Sequence, residues 1–143
     1  MNDQRSVKEW FDKAKMDLDA AQYLLNMHPV PIEIICYHCQ QSAEKMLKGV
    51  LTAYNIFPER THDLLQLCRQ CEELDKDFKQ FVDSCVELSP YAVQVRYPSD
   101  IELDITDMNR ALKEAKKVFE FVIEEYQDEY QSECEAETFE QSM

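Results

Sequence analysis

Apolar side chains recur along most of the chain at intervals of three and four residues, which is the period of one face of an α-helix. This pattern predicts a first helix at about 6–27 and a second at about 32–55. Pro29 and Pro31 separate the two, and Pro58 follows the second. Proline cannot continue a helix, so these positions indicate breaks between helices.

A third apolar stripe begins at Leu64, with Thr61 as its predicted N-cap and Asp63 in its first turn. Both residue types suit a helix entrance, because their oxygens accept hydrogen bonds there and a carboxylate favours the positive end of the helix dipole. A fourth stripe covers about 78–88 and is either continuous with the third or bent near Asp75.

The last long stripe starts after a predicted cap at Asp104 or Thr106, and its apolar period fails beyond about 128. Short connections between four or five helices are typical of an antiparallel bundle. The pattern therefore predicts an all-α fold, an up-and-down bundle of four to five helices over residues 1–127. Residues 128–143 form an acidic tail, which we expect to be frayed or disordered.

Composition agrees with helices, since the 143 residues include one glycine and five prolines. The net charge is −14, and eight of the 29 acidic residues but none of the basic ones lie from Glu124 onward. Such acidity argues against nonspecific adhesion to nucleic acid, although one local basic cleft is compatible with it. No apolar run is long enough to cross a membrane and no signal peptide is recognisable, so we expect a cytoplasmic protein without membrane contact.

The six cysteines include two pairs, Cys36-x-x-Cys39 and Cys68-x-x-Cys71, whose spacing resembles that of a four-thiolate zinc site. Both pairs lie in helical stripes without an adjacent glycine or proline to form the usual tight turn. We therefore predict small, reduced core residues, with no metal and no cofactor.

Polar residues concentrate in three clusters, at 37–48, 61–65 and 96–98. They place His38, His62 and Arg96 on helix faces or at helix entrances, where a bundle can gather side chains into one cleft. Metal-free RNA cleavage needs a group that titrates near neutral pH and a cation that stabilises the charged transition state. Arg96 could supply the cation, and His38 or His62 the base.

Each of these residues also has an ordinary structural interpretation. His62 could bond locally at a helix N-terminus, and His38 could be a half-buried polar side chain. Lys48 could form a solvated ion pair with Glu44, four residues earlier on the same helix. Arg96 could equally tie the last helix to the core.

The order of the clusters resembles the HEPN domain family over about residues 5–125. The resemblance is carried by His38, Gln41, Ala43, Glu44, Lys45 and Lys48 on one helix, then His62-Asp63-Leu64, then Arg96-Tyr97-Pro98. It implies a helical bundle, often a homodimer, whose relatives bind nucleotides or cut RNA. It also implies a minimal nucleotidyltransferase encoded nearby, as in toxin–antitoxin pairs.

The chain departs from the RNA-cutting members of that family at one place. Those members carry a histidine four to six residues after the arginine, whereas Arg96 is followed at these distances by Asp100, Ile101 and Glu102. Whether this chain is an enzyme therefore stays open.

The leading hypothesis is a HEPN-type domain that binds a nucleotide or an RNA end and acts with a nucleotidyltransferase partner. Its predicted cleft residues are His38, Gln41, Lys45, His62, Asp63, Tyr91, Arg96 and Tyr97. Tyr91 and Tyr97 would offer rings for stacking beside the phosphate-binding fork of Arg96. The alternatives are a divergent metal-independent ribonuclease toxin and a non-catalytic dimerising interaction module.

Overall fold

The computed structural model describes residues 4–92 and 103–131, and its regular secondary structure within these ranges is helical. Three short 3₁₀ segments accompany five α-helices. The α-helices are α1 Val7–Tyr23, α2 Ile32–Ala53, α3 Leu64–Leu74, α4 Val82–Leu88 and α5 Ile105–Glu125. The predicted all-α antiparallel bundle is confirmed.

Helix α1 begins with a capping box, in which Ser6 accepts from the backbone of Glu9 and the Glu9 side chain accepts from the backbone of Ser6. It ends at Tyr23, earlier than the sequence predicted, because residues Leu24–Asn26 tighten into a 3₁₀ turn. Helix α2 closes through Asn55, which adopts a left-handed φ of 64°. Asparagine tolerates this conformation better than most residues, so the chain can turn sharply there.

The N-cap of α3 differs from the prediction. Asp63, not Thr61, accepts the backbone N–H of Gln66, while the Thr61 hydroxyl accepts the backbone N–H of Asp63. The third and fourth stripes are separated at Asp75, whose extended backbone ends α3 before the 3₁₀ segment Lys76–Phe81.

The last helix begins at the first of its two predicted caps. The Asp104 side chain accepts from the backbone of Asp107, and the Asp107 side chain accepts in return from the backbone of Asp104. Helical structure continues to residue 131, past the end predicted from the apolar period. Tyr130 explains this, since its ring packs on Phe11 and its hydroxyl donates to Asp12. The remainder of the acidic tail lies outside the described residues.

Helix α2 is the centre of the bundle and packs against α1, α3 and α5. It approaches α1 closely at Gly49, the single glycine, where an added methyl group would overlap the Phe11 ring and press on Trp10. The absent side chain therefore brings the N-terminal half of α1 directly against the C-terminal half of α2. This contact sets the position of the residues described below.

The five cysteines within the described ranges are unpaired and buried. Burial raises the pKa of both Cys36 and Cys39 to about 12. The part of the chain that the structure describes contains no cluster of three or more His, Cys, Asp or Glu side chains suited to a metal ion. None of its helices is both long enough and apolar enough to cross a bilayer.

Candidate anion-binding cleft

A cavity of about 360 Å³ opens between the N-terminal part of α1, the middle of α2 and the segment before α3. We call it the basic cleft. Its lining consists of Arg5, Trp10, Lys13, Glu44, Lys45, Lys48, Arg60 and His62. Five of these eight residues are lysine or arginine and one is acidic, in a chain of net charge −14. This local reversal of sign marks a candidate site for an anion.

Helix α2 supplies three lining residues, Glu44, Lys45 and Lys48. Lys48 lies four residues after Glu44 and three after Lys45, and residues three and four apart share one face of a helix. Helix α1 supplies Lys13 from the opposite wall. His62 closes the third side from the residue that precedes the N-cap of α3.

Glu44 joins two residues of this cleft through its two carboxylate oxygens. Oε1 accepts a hydrogen bond from Nδ1 of His62 at 2.8 Å, and Oε2 accepts one from Nζ of Lys48 at 3.2 Å. We call Glu44, His62 and Lys48 the Glu44 triad. Glu44 and Lys48 are 4% and 6% exposed, so the ion pair that the sequence suggested is buried, not solvated. A buried carboxylate needs such partners to stay charged.

His62 is the exposed member of the triad, with 64% of its side chain accessible. Its bond to Glu44 spans 18 residues of sequence, so it does not bond locally as one interpretation held. Because an ionised carboxylate only accepts, Nδ1 carries the hydrogen, and Nε2 is left on the other edge of the ring. Nε2 has no partner among the described residues.

Two glutamines support the triad from inside the bundle. Nε2 of Gln40, which is fully buried, donates to Glu44 at 3.3 Å and to the backbone carbonyl of His62 at 3.4 Å. Gln41 in turn donates to Oε1 of Gln40 at 2.7 Å. Gln41 was predicted to contact the ligand. In the structure its side chain contacts Gln40, which in turn contacts the carboxylate of Glu44.

A second carboxylate, Asp17, makes the same pair of contacts with another histidine and lysine of α2. Oδ1 of Asp17 lies 2.9 Å from Nδ1 of His38, and its Oδ2 lies 2.5 Å from Nζ of Lys45. We call Asp17, His38 and Lys45 the Asp17 triad. Because Asp17 lies on α1 and the other two on α2, this triad ties the two helices together. Only Lys45 of the three reaches the basic cleft.

Trp10, the single tryptophan, forms the floor between two cations. Cζ of Arg5 lies 5.0 Å from its ring centroid and Nζ of Lys48 lies 5.5 Å away, so both make cation–π contacts. Its buried indole Nε1 has no hydrogen-bond partner among the described residues. Such an unpaired buried donor is rare.

Among the described residues, two of the cleft's cations have no anion paired with them. Lys13 and Arg60 form no ion pair or hydrogen bond with any residue in the described ranges. Their charges are therefore available to a ligand, whereas Lys45 and Lys48 already neutralise carboxylates.

The structure gathers the predicted site residues only in part. His38 lies outside the cleft wall, Asp63 serves as the cap of α3, and Tyr91 is buried in a 3₁₀ segment away from the lining. Arg96 and Tyr97 lie outside the described residues. Lys45 and His62 are the predicted residues that line the cleft.

Sequence reasoning missed Arg5, Trp10, Lys13 and Arg60. Trp10 belongs to the apolar stripe of α1, where it reads as an ordinary core residue. A recognisable signal was present in the second polar cluster, since Arg60 lies two residues before His62.

Comparison with known proteins identifies the family of this chain. The family model of the HEPN domain matches residues 7–127, most of the chain. The chain therefore belongs to the HEPN domain family. No protein of curated function matches it.

Two solved structures share the fold. The crystal structure of TT1696 from Thermus thermophilus superposes with a TM-score of 0.68 and 26% identity, covering 82% of this chain and 96% of the other. The crystal structure of ST0689, described as an archaeal HEPN homologue, gives a TM-score of 0.65 and 22% identity, covering 85% and 98%. The second, more distant likeness concerns the fold alone.

Proposed function

We propose that this HEPN domain binds a phosphate group of a nucleotide or of an RNA end in the basic cleft. The observation that carries the proposal is the concentration of five lysine and arginine side chains around one cavity in a chain of net charge −14. A cavity with one sign of charge and apolar walls concentrates ions of the opposite sign.

The cleft residues would contribute to phosphate binding in different ways. Arg60 and Lys13 pair with no carboxylate in the described part of the chain and would contact phosphate oxygens directly, the arginine through its planar fork. Lys48 is held against Trp10 and Glu44. Because its orientation is fixed before the ligand arrives, little side-chain entropy is lost on binding.

The biological setting follows from family membership and is also a proposal. We propose that the domain forms a homodimer in the cytoplasm and acts with a nucleotidyltransferase encoded nearby, as one half of a toxin–antitoxin pair. Light scattering across micromolar concentrations tests the first part, since a monomer mass throughout would contradict it. Co-expression with the adjacent reading frame, followed by size exclusion, tests the second.

Ligand binding itself is tested by thermal unfolding with ATP or a short RNA. A ligand that binds only the folded chain raises the melting temperature by mass action. We expect a rise for the wild type and a smaller one for Arg60→Ala. Lys15→Ala is the matched control, because Lys15 pairs with Asp19 on α1 and is not part of the cleft. The absence of any shift with either ligand would favour the interaction-module alternative.

One observation favours a second candidate function, metal-independent RNA cleavage. A histidine whose Nδ1 is fixed by a buried carboxylate presents Nε2 as a base, and nearby cations can stabilise a phosphorane. In this case RNA would be cut in the presence of a chelator, and His62→Gln would stop the reaction while His38→Gln would not. RNA that stays intact through prolonged incubation would leave binding alone as the function.

A further inference from the structure

We propose that anion binding in the basic cleft is coupled to uptake of one proton by His62, so that the ligand binds more tightly as the pH falls from about 8 to 5.5. This inference rests on the proposed anion binding and adds its regulation. Under this proposal, the affinity of the cleft for its ligand depends on protonation of His62, so the Glu44 triad is more than a structural support.

The imidazole of His62 is held in one orientation. Nδ1 is committed to Oε1 of Glu44 at 2.8 Å, and a second bond from Gln40 holds the backbone carbonyl of His62. Any contact of the ring with a ligand therefore uses Nε2. In neutral His62 this nitrogen is an acceptor, which a deprotonated phosphate oxygen cannot satisfy. In the imidazolium form it donates a charge-assisted hydrogen bond.

Charged side chains surround the ring of His62 from every neighbouring element. Those that line the same cleft are Arg5 from the N-terminal segment, Lys13 from α1, Glu44, Lys45 and Lys48 from α2, and Arg60 from its own segment, and Asp63 follows it directly in the chain. The lysines and arginines oppose a further positive charge in the cleft, while the carboxylates of Glu44 and Asp63 favour it. A bound anion offsets the cations and tips this balance towards the imidazolium.

Thermodynamic linkage then fixes the consequence. If a bound anion favours protonation of His62, protonation must raise the affinity for the anion by the same factor. Because 64% of the His62 side chain is accessible, protons exchange with solvent without any opening of the bundle.

The Asp17 triad provides an internal control for this effect. His38 makes the same contact with a carboxylate, at 2.9 Å, but lies outside the cleft wall. A proton on His38 would add the same charge to the protein as one on His62. It cannot place a donor against the ligand.

The test measures Trp10 fluorescence while the full chain is titrated with two probes at constant ionic strength. The probes are a 2′-O-methyl oligouridylate without terminal phosphates, and sulfate. Both keep a constant charge over this pH range, unlike a terminal phosphate, whose second ionisation falls near pH 6. We expect binding roughly tenfold tighter at the lower pH, the gain typical of one charge-assisted hydrogen bond. Calorimetry in two buffers of different ionisation enthalpy should show proton uptake by the wild type.

His62→Gln should bind with the wild-type affinity found at high pH and should lose the dependence on pH, whereas His38→Gln should keep it. Wild-type affinity that does not change with pH, binding without proton uptake, or an unchanged dependence in His62→Gln would overturn the coupling while leaving anion binding intact. Failure of the wild type to bind either probe at any pH would instead overturn the proposed anion site, and the coupling with it.

Discussion

The Asp17 triad and the Glu44 triad consist of the same chemical groups and differ in what surrounds them. In each, one carboxylate bridges Nδ1 of a histidine and Nζ of a lysine. Asp17 is 12% exposed and its histidine, His38, is 25% exposed, so that triad is partly shielded throughout. In the other, a nearly inaccessible Glu44 holds a largely exposed His62 over a cavity lined with cations.

Under the proposed function, the difference separates a structural role from a binding role. An exposed histidine adds little stability through an ion pair, because water screens the attraction. The Asp17 triad instead joins two helices, which accounts for its residues without a ligand. The Glu44 triad uses a buried charge to orient an exposed ring, and this arrangement is more typical of a site than of a core.

The largest effect should come from removing the buried carboxylate. Glu44→Gln leaves Lys48 inside the protein without a counter-charge, and we expect a loss of about 3 kcal/mol in the free energy of unfolding. Asp17→Asn is the matched change in the other triad, where Lys45 can reach water, and it should cost about 1 kcal/mol. Urea unfolding at neutral pH measures both. Equal losses would mean that burial does not distinguish the triads.

The next largest effect concerns the close contact between α1 and α2 at Gly49. Gly49→Ala should lower the free energy of unfolding by about 2 kcal/mol through overpacking against Phe11. Alanine is otherwise the better helix former, by about 1 kcal/mol, so any loss reports the steric clash. Thermal unfolding followed by circular dichroism gives the value, and stabilisation by the alanine would show that α1 and α2 can separate at no cost.

A smaller effect is expected for the free cations. Lys13→Ala should weaken oligonucleotide binding several-fold and reduce by about one unit the slope of log affinity against log salt, because one phosphate contact is lost. Fluorescence titration at several salt concentrations measures both quantities. Lys15→Ala, on the same helix, should change neither of them, and equal losses in the two variants would indicate binding by general surface charge.

The smallest effect belongs to a third carboxylate, Asp12, which also contacts a lysine but is 43% exposed. Burial raises the pKa of Asp12, yet hydrogen bonds from Lys8 and Tyr130 outweigh it and hold the pKa below its ordinary value. Stability from a lowered pKa is present above the unfolded value and is lost as the pH falls through the folded one. We therefore expect Asp12→Asn to cost less than about 1 kcal/mol at neutral pH. The difference should vanish in acid, and thermal unfolding at neutral and acidic pH checks this.

The bundle was predictable from sequence because a three-to-four-residue apolar period over α1, α2 and α5 directly specifies which faces are buried. The end of α1 and the cap of α3 were not. The end of α1 depends on the local hydrogen bonds of a 3₁₀ turn. The cap of α3 depends on which of two suitable side chains, Thr61 or Asp63, accepts the backbone N–H of Gln66.

Two lining residues of the cleft were predicted from the sequence, Lys45 on α2 and His62 before α3. The three-residue spacing of Lys45 and Lys48 indicates that both lie on one face of α2. Arg5, Lys13 and Arg60 come from three other places in the sequence, and only packing brings them to the same cavity. Which carboxylate each histidine contacts also depends on tertiary structure, since the two bonds span 18 and 21 residues.

The central claim is that the ligand site lies at the Glu44 triad and not at the Asp17 triad. Nitrogen-15 NMR of the histidine rings and of the single indole, recorded while the 2′-O-methyl oligouridylate is added, tests it most directly. We predict that the signals of His62 and Trp10 shift with a common saturation curve and that His38 stays unchanged. A saturable shift of His38, with His62 and Trp10 unaffected, would contradict the account.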